Sequence, residues 1–169
     1  WAAKQVAHFT EEEIRALVET GQYSDPESVS YLTQTLVTRR DKIARAYLHH
    51  GGGFDRFRLT ESGQIAFDDL LDHPAFANDP PRIAAIQWHP FDNDTGRRGD
   101  ALAETEVTDR TTAIPISDAN YLVGVLHRTG DSQQCTEVFL RQREGVWEVV
   151  GVRRSADGIP DTRPVWTQI

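Results

Sequence analysis

The chain of 169 residues has no methionine, a single cysteine and no apolar run near the roughly 20 residues of a membrane-spanning helix. One cysteine, Cys135, excludes an internal disulfide and any metal site built from several thiolates. It falls in a strand-like run, where a small packed residue is the plain expectation. The missing methionine, absent even at position 1, leads us to expect a processed product or a piece of a longer chain. Basic residues are outnumbered: 18 Lys and Arg stand against 26 Asp and Glu, a formal net charge of −8. That balance argues against a nucleic acid or an anionic membrane as partner, since either calls for a basic footprint. Motifs of the common enzymes are lacking too. There is no G-x-S-x-G, H-E-x-x-H, Walker loop or G-x-G-x-x-G.

What the chain does hold is a strong β signal near its C-terminal end, Tyr121 to Arg154. Three strand-like runs follow one another, and Glu144-Gly145 joins the last two as a two-residue hairpin loop. Such a loop sets Arg143 opposite Val146, and the pairing runs outward from there. Arg141 then faces Glu148, Gln142 faces Trp147, Leu140 faces Val149, Phe139 faces Val150 and Val138 faces Gly151. Because side chains alternate, Trp147, Val149, Val138 and Leu140 form one apolar face. The other face mixes Glu137, Arg141 and Glu148 with Phe139, Val150 and Val152. A sheet this apolar needs a covering layer, and the N-terminal helices are the expected cover.

Helix signals crowd the first third. Residues 2 to 8 read as a short helix with Trp1, Val6 and Phe9 as its apolar positions. Thr10-x-x-Glu13 is a capping box, followed by Ile14, Leu17 and Val18 at helical spacing and by Gly21 as the expected stop. Asp25-Pro26 restarts the chain, and a long helix is predicted from there to about Leu48. Val29, Leu32, Leu36, Ile43 and Tyr47 recur on one face. Arg39, Arg40, Lys42 and Arg45 make its second half basic, a solvated face or a docking patch for an acidic partner. His49-His50-Gly51-Gly52-Gly53 ends it, with Gly51 expected as the left-handed cap. Neighbouring histidines on one helix point about 100° apart and make a poor pair of metal ligands. Short strands are expected at 57–59 and 64–67, a short helix from Asp68, and an internal boundary at Asn78-Asp79-Pro80-Pro81. Further strands are expected at 83–90 and 101–108, followed by the three of the β region.

One loop concentrates oxygen ligands. His89-Pro90-Phe91-Asp92-Asn93-Asp94-Thr95-Gly96 joins two predicted strands, and Asp92, Asn93, Asp94 and Asp100 make a calcium-type donor set. The EF-hand spacing fails, because Arg97 stands where Gly is needed and Ala103 where Glu is needed. An Asx-rich turn, in which the carboxylates bond their own backbone, explains the same residues. His73, His89, Asp92 and Asp94 form a looser set whose spacing does not require a metal site. Trp1 and Trp166, at the two ends, are interface-type residues. With Arg39, Arg40 and Arg45 they make the candidate partner-binding set.

Three phrases, FTEEEIRALVETGQYSDPESVSYLTQTLVTRRDKI, WHPFDNDTG and VFLRQREGVWEVVGVRR, together resemble the C-terminal part of longer, uncharacterised bacterial proteins associated with the cell envelope. The resemblance implies an extracytoplasmic or envelope location and carries no activity or site residues with it. In layout alone the chain is similar to nuclear-transport-factor-2-like cone folds, which enclose a pocket. No acid/base pair can be placed in such a pocket here, and a fold analogy supplies no function.

The sequence therefore predicts an α+β domain with N-terminal helices packed on a largely antiparallel sheet, sandwich-like or cone-like. The expected division is a helical part at 1–53, a sheet part at 54–155 and an extended tail at 156–169. The leading functional expectation is a non-catalytic interaction module or subunit of a larger bacterial assembly, binding a protein partner. The alternative is a small-ligand or calcium-binding domain using the 89–100 loop or a cone pocket.

Overall fold

The computed structural model describes residues 1–80, 83–107 and 109–155. The fold is α+β, with the helices at the N-terminal end and two antiparallel sheets after them. The chain forms two compact units. One is Trp1–His49 with Leu70–Asp79, and the other is His50–Asp69 with the residues from Pro80 onward. The tail at 156–169, with Trp166, lies outside the described residues.

The helical unit contains α1 (Ala2–Ala7), α2 (Glu11–Glu19) and α3 (Pro26–Tyr47). α2 starts at the expected capping box, with Thr10 and Glu13 bonding each other's backbone. It stops one residue before Thr20, and the left-handed residue beyond it is Gln22 (φ 51°) instead of Gly21. A Cβ at Gly21 would sit 2.6 Å from the exposed Tyr23 ring, which would have to shift. Asp25 caps α3 through the Glu27 amide, with Pro26 in the first turn. The buried stripe of α3 differs from the predicted one. Thr33, Val37, Arg40, Ala44 and Leu48 are buried, while Leu36 and Tyr47 stay 41% and 61% exposed. The stripe is turned by one residue because the unit packs on small side chains. Ala44 and Leu48 meet Ala75 and Phe76 of a short 3-10 turn at Pro74–Phe76, with Ala3, Ala7, Leu70 and Leu71 around them.

The sheet unit opens with a 3-10 turn, His50–Gly53. The left-handed glycines are Gly52 (φ 83°) and Gly53 (φ 77°), later than the expected Gly51. β1 (Phe54–Leu59) and β2 (Ile65–Asp69) form a hairpin, and β6 (Thr111–Thr112) joins β2 to complete a small sheet. The large sheet runs in the order β4 (Arg97–Arg98), β3 (Ala84–Asp92), β7 (Tyr121–Arg128), β8 (Asp131–Arg143) and β9 (Val146–Ser155), with β5 (Ala103–Val107) also on β3. Its apolar face is covered within this unit by Phe54, Ile65 and Phe67 of the small sheet, which pack with Ile86, Trp88, Leu122, Leu126, Val138 and Leu140. Trp88 crosses to β7 opposite Gly124, where a Cβ would meet the indole at 2.8 Å.

The β8–β9 hairpin turns at Glu144 and Gly145, both with positive φ as a type I′ turn requires. The predicted register holds from Arg143↔Val146 to Leu140↔Val149 and then shifts. A bulge at Val150 sets Phe139 opposite Gly151 and Val138 opposite Val152, one residue later than predicted. The shift also sets Glu137 opposite Arg153. Glu137 is fully buried and ion-paired to both Arg98 and Arg153.

Arg128 is the other buried charge among the described residues of the unit. Its guanidinium makes a two-pronged pair with Asp69, at 2.8 and 2.6 Å, and donates from Nε to the Gly52 carbonyl at 2.9 Å. It lies 4.3 Å from the centre of the Phe54 ring. Removing one member of a buried pair strands the other charge, which costs about 3–5 kcal/mol. Asp69→Ala is therefore expected to lower the unfolding free energy in urea by about that much, and joint replacement by Asp69→Leu and Arg128→Met by clearly less. Equal losses in the single and double variants would show that the pair is not what Asp69 contributes.

Candidate functional site

An apolar depression lies within the helical unit. It is a groove of about 290 Å³ lined by Val6 and Phe9 after α1, Ile14 and Leu17 of α2, and Leu36, Arg39, Arg40 and Ile43 of α3. Three of its large apolar residues face water: Leu17 is 58% exposed, Phe9 47% and Leu36 41%. The α3 wall has a defined geometry. Positions 36, 39, 40 and 43 are spaced i, i+3, i+4 and i+7, the four-cornered hole that receives a side chain from a facing helix.

The four cations of α3 have separate roles. Arg40 is buried, contrary to its expected place on a solvated or docking face. It donates from Nη1 to the Phe9 carbonyl at 2.7 Å and from Nε to Asp41 at 2.9 Å, so it fixes the segment after α1 beside α3. Arg45 pairs with Asp79 at 3.1 Å and lies over the Phe76 ring. Arg39 and Lys42 are exposed and make no ion pair among the described residues. Of the expected partner-binding residues, Arg39 therefore lines the groove with its charge available. Arg40 also lines it but is buried, Arg45 is engaged elsewhere, and Trp1 stands 91% exposed at the start of α1. Trp166 lies outside the described residues.

The expected calcium loop is a tight hairpin turn. The Asp92 carboxylate accepts hydrogen bonds from the amides of Asp94 (2.9 Å) and Thr95 (3.1 Å), and Arg97 is the backbone neighbour of Asp92 in the antiparallel register. The Thr95 hydroxyl, with the Thr95 and Asp94 amides, holds that carboxyl below its usual range. Asp92, Asn93, Asp94 and Asp100 are all exposed. Among the described residues no group of three or more His, Cys, Asp or Glu is placed to hold a metal ion. His89 is engaged by the Gly99 carbonyl at 3.0 Å and the Gln87 side chain at 3.1 Å. A shallow polar depression of about 450 Å³ lies elsewhere on the sheet unit, lined by Ala85, Glu104, Glu106, His127, Thr129 and Gly130. In it His127 Nε2 and a Glu104 carboxylate oxygen lie 3.8 Å apart.

The sequence reading missed the groove because it assigned one buried stripe to α3. In fact α3 carries two. One, at 33, 37, 40, 44 and 48, is consumed inside the unit. The other, with Leu36 and Ile43, opens into the groove. Nothing local marked the first stripe, which reads Thr33, Val37, Arg40, Ala44 and Leu48, a hydroxyl and a guanidinium among its five side chains. Comparison with protein-family models, curated proteins and solved structures finds no match for this chain.

His73 braces the helical unit. Its Nδ1 accepts from the Ala75 amide at 3.0 Å, so the hydrogen sits on Nε2, which donates to the Ala7 carbonyl at 3.1 Å. This is the neutral ring. Burial, and then the positive charge of Arg40, push the His73 pKa down. A group depressed in the folded state stabilises above its unfolded pKa, about 6.5, and that stability is lost as pH falls. The melting temperature is expected to fall between about pH 7 and pH 5, with a shallower slope in His73→Asn, which keeps a capping side chain. Identical slopes in the two proteins would assign the pH dependence to other groups.

Proposed function

We propose that this chain is a non-catalytic interaction module of a larger bacterial assembly, and that its helical unit docks an amphipathic, acidic helix of a protein partner. The groove carries the reading. Its walls are apolar and its α3 side presents a four-cornered hole. Leaving a large apolar side chain in water forgoes about 1.5–3 kcal/mol of burial, so a helix laid over Phe9, Leu17 and Leu36 has a sizeable driving force. Arg39 and Lys42 along one edge select carboxylates on the incoming helix. Helix-in-groove recognition uses anchors at i, i+3, i+4 and i+7, the spacing this wall complements. The absence of common catalytic motifs and the resemblance to parts of longer envelope proteins support a module over an enzyme. The envelope is the location this reading favours.

A display library of helical peptides, selected against the purified chain, tests the proposal. Binders are expected to combine apolar residues at i and i+3 or i+4 with Asp or Glu. They should shift the backbone amide resonances of Leu17, Leu36, Arg39 and Ile43. Leu36→Asp is expected to weaken them at least about tenfold, or 1.4 kcal/mol. A library that yields no binder, or binders that perturb only the sheet unit, would overturn it.

A further inference from the structure

We infer that the groove is occupied by helix α2 of a second copy of this chain, making the helical unit a self-complementary dimer interface. The inference rests on the docking reading above and names its partner. α2 itself has the required chemistry. Ile14 and Val18 are buried, but Leu17 between them is 58% exposed and available as a knob. Glu13 stands one turn before Leu17, with Glu11 and Glu12 exposed beside it. Only Oε2 of Glu13 bonds Thr10, and the carboxylate keeps its charge at the surface.

The groove therefore has two unlike edges. Glu13, four residues before Leu17, stands beside the lining on the α2 side, and Arg39, with Lys42 three residues on, stands on the α3 side. A two-fold axis running along the strip exchanges the edges. Each acidic α2 then lies over its partner's basic α3, and Leu17 faces the hole formed by Leu36, Arg39, Arg40 and Ile43 of the other copy. An axis across the strip would set acid on acid, so charge selects one arrangement. α2 is only 9 residues long, so the interface falls at the small end of stable complexes, about 1,200 Å² in total, and the dimer is reversible.

Sedimentation velocity and native mass spectrometry of the whole chain over a concentration series test this. The expected result is a reversible species of twice the 19.0 kDa chain mass. Leu17→Asp, at a position already exposed in the monomer, should raise the dissociation constant at least about tenfold. Arg39→Glu and Glu13→Gln should each weaken the dimer, the glutamine keeping the helix cap. Glu13→Arg combined with Arg39→Glu should restore association lost in Arg39→Glu alone, with circular dichroism confirming equal helix content. A chain monomeric at every concentration, or a dimer indifferent to Leu17→Asp and to the charge exchange, overturns the inference. A monomer that still binds selected peptides in the groove rejects the second copy while leaving the docking role intact. A monomer that binds none rejects both.

Discussion

Arg128 sits at the end of β7 with its guanidinium out of water, and the construction of the sheet unit converges on it. Burying a cation costs several kcal/mol even after relaxation, and only close, well-directed partners offset that. Here they come from three places in the chain. Asp69 at the end of β2 supplies the two-pronged carboxylate, Gly52 a carbonyl and Phe54 a ring face. Each has its own requirement. Gly52 must adopt a left-handed backbone, and a Cβ there would meet the Phe54 ring at 2.7 Å. Asp69 must pair with Phe54 across the β1–β2 hairpin so that both reach the same guanidinium. Gly52 of the run His49-His50-Gly51-Gly52-Gly53 is thus tied to this one buried charge. The same contacts hold the small sheet on the apolar face of the large one.

A second buried charge lies on the opposite face, and its pairing depends on one extra residue. In the unbroken hairpin register Glu137 would oppose Val152, leaving a carboxylate with an apolar neighbour. The bulge at Val150 moves Arg153 into that place and Arg154 opposite Thr136. Arg153 then pairs with Glu137, while Arg154 reaches Asp55 at 2.5 Å and the Phe54 carbonyl at 3.3 Å. Arg98 supplies the other charge on Glu137. Cys135, beside it on the same strand, is buried, and burial and then Glu137 push its thiol pKa up. A thiol so placed is a packing residue, as its position in a strand implied.

These two charges mark where the sequence was legible and where it was not. Local chemistry could be read directly. The capping box at Thr10, the Asp25-Pro26 helix start, the Glu144-Gly145 turn and the extent of β7 depend on neighbours in the chain. The α+β class follows from the same signals. Long-range facts could not be read. Alternation alone places Glu137 on a half-polar face, because nothing local reports Arg98 or the bulge. Helical spacing alone places Arg40 in solvent, because the Phe9 carbonyl that holds it is 31 residues away. The 3-10 turns at 70–76 group with the helices because Phe76 and Ala75 fill the space left by Ala44. The groove was illegible for the same reason. Its α3 wall could be recognised only once the other stripe was known to be occupied.

The division of labour on α3 decides which of its surfaces stays open. Twenty-two residues give a helix about 33 Å long, with surface for more than one partner layer. Small residues, Thr33, Val37 and Ala44, bring one stripe close to the unit's own core. Arg40 separates that stripe from the next and spends its charge on Asp41 and Phe9. Beyond it Leu36 and Ile43 remain without an equivalent layer, while Arg39 and Lys42 keep their charges. A helix that served only its own fold would need neither the second stripe nor the uncommitted cations. Removing both would lower the hydrophobic exposure of the unit without touching its core. Their presence together, along one edge of an otherwise acidic chain, is the physical argument for an interface on this face.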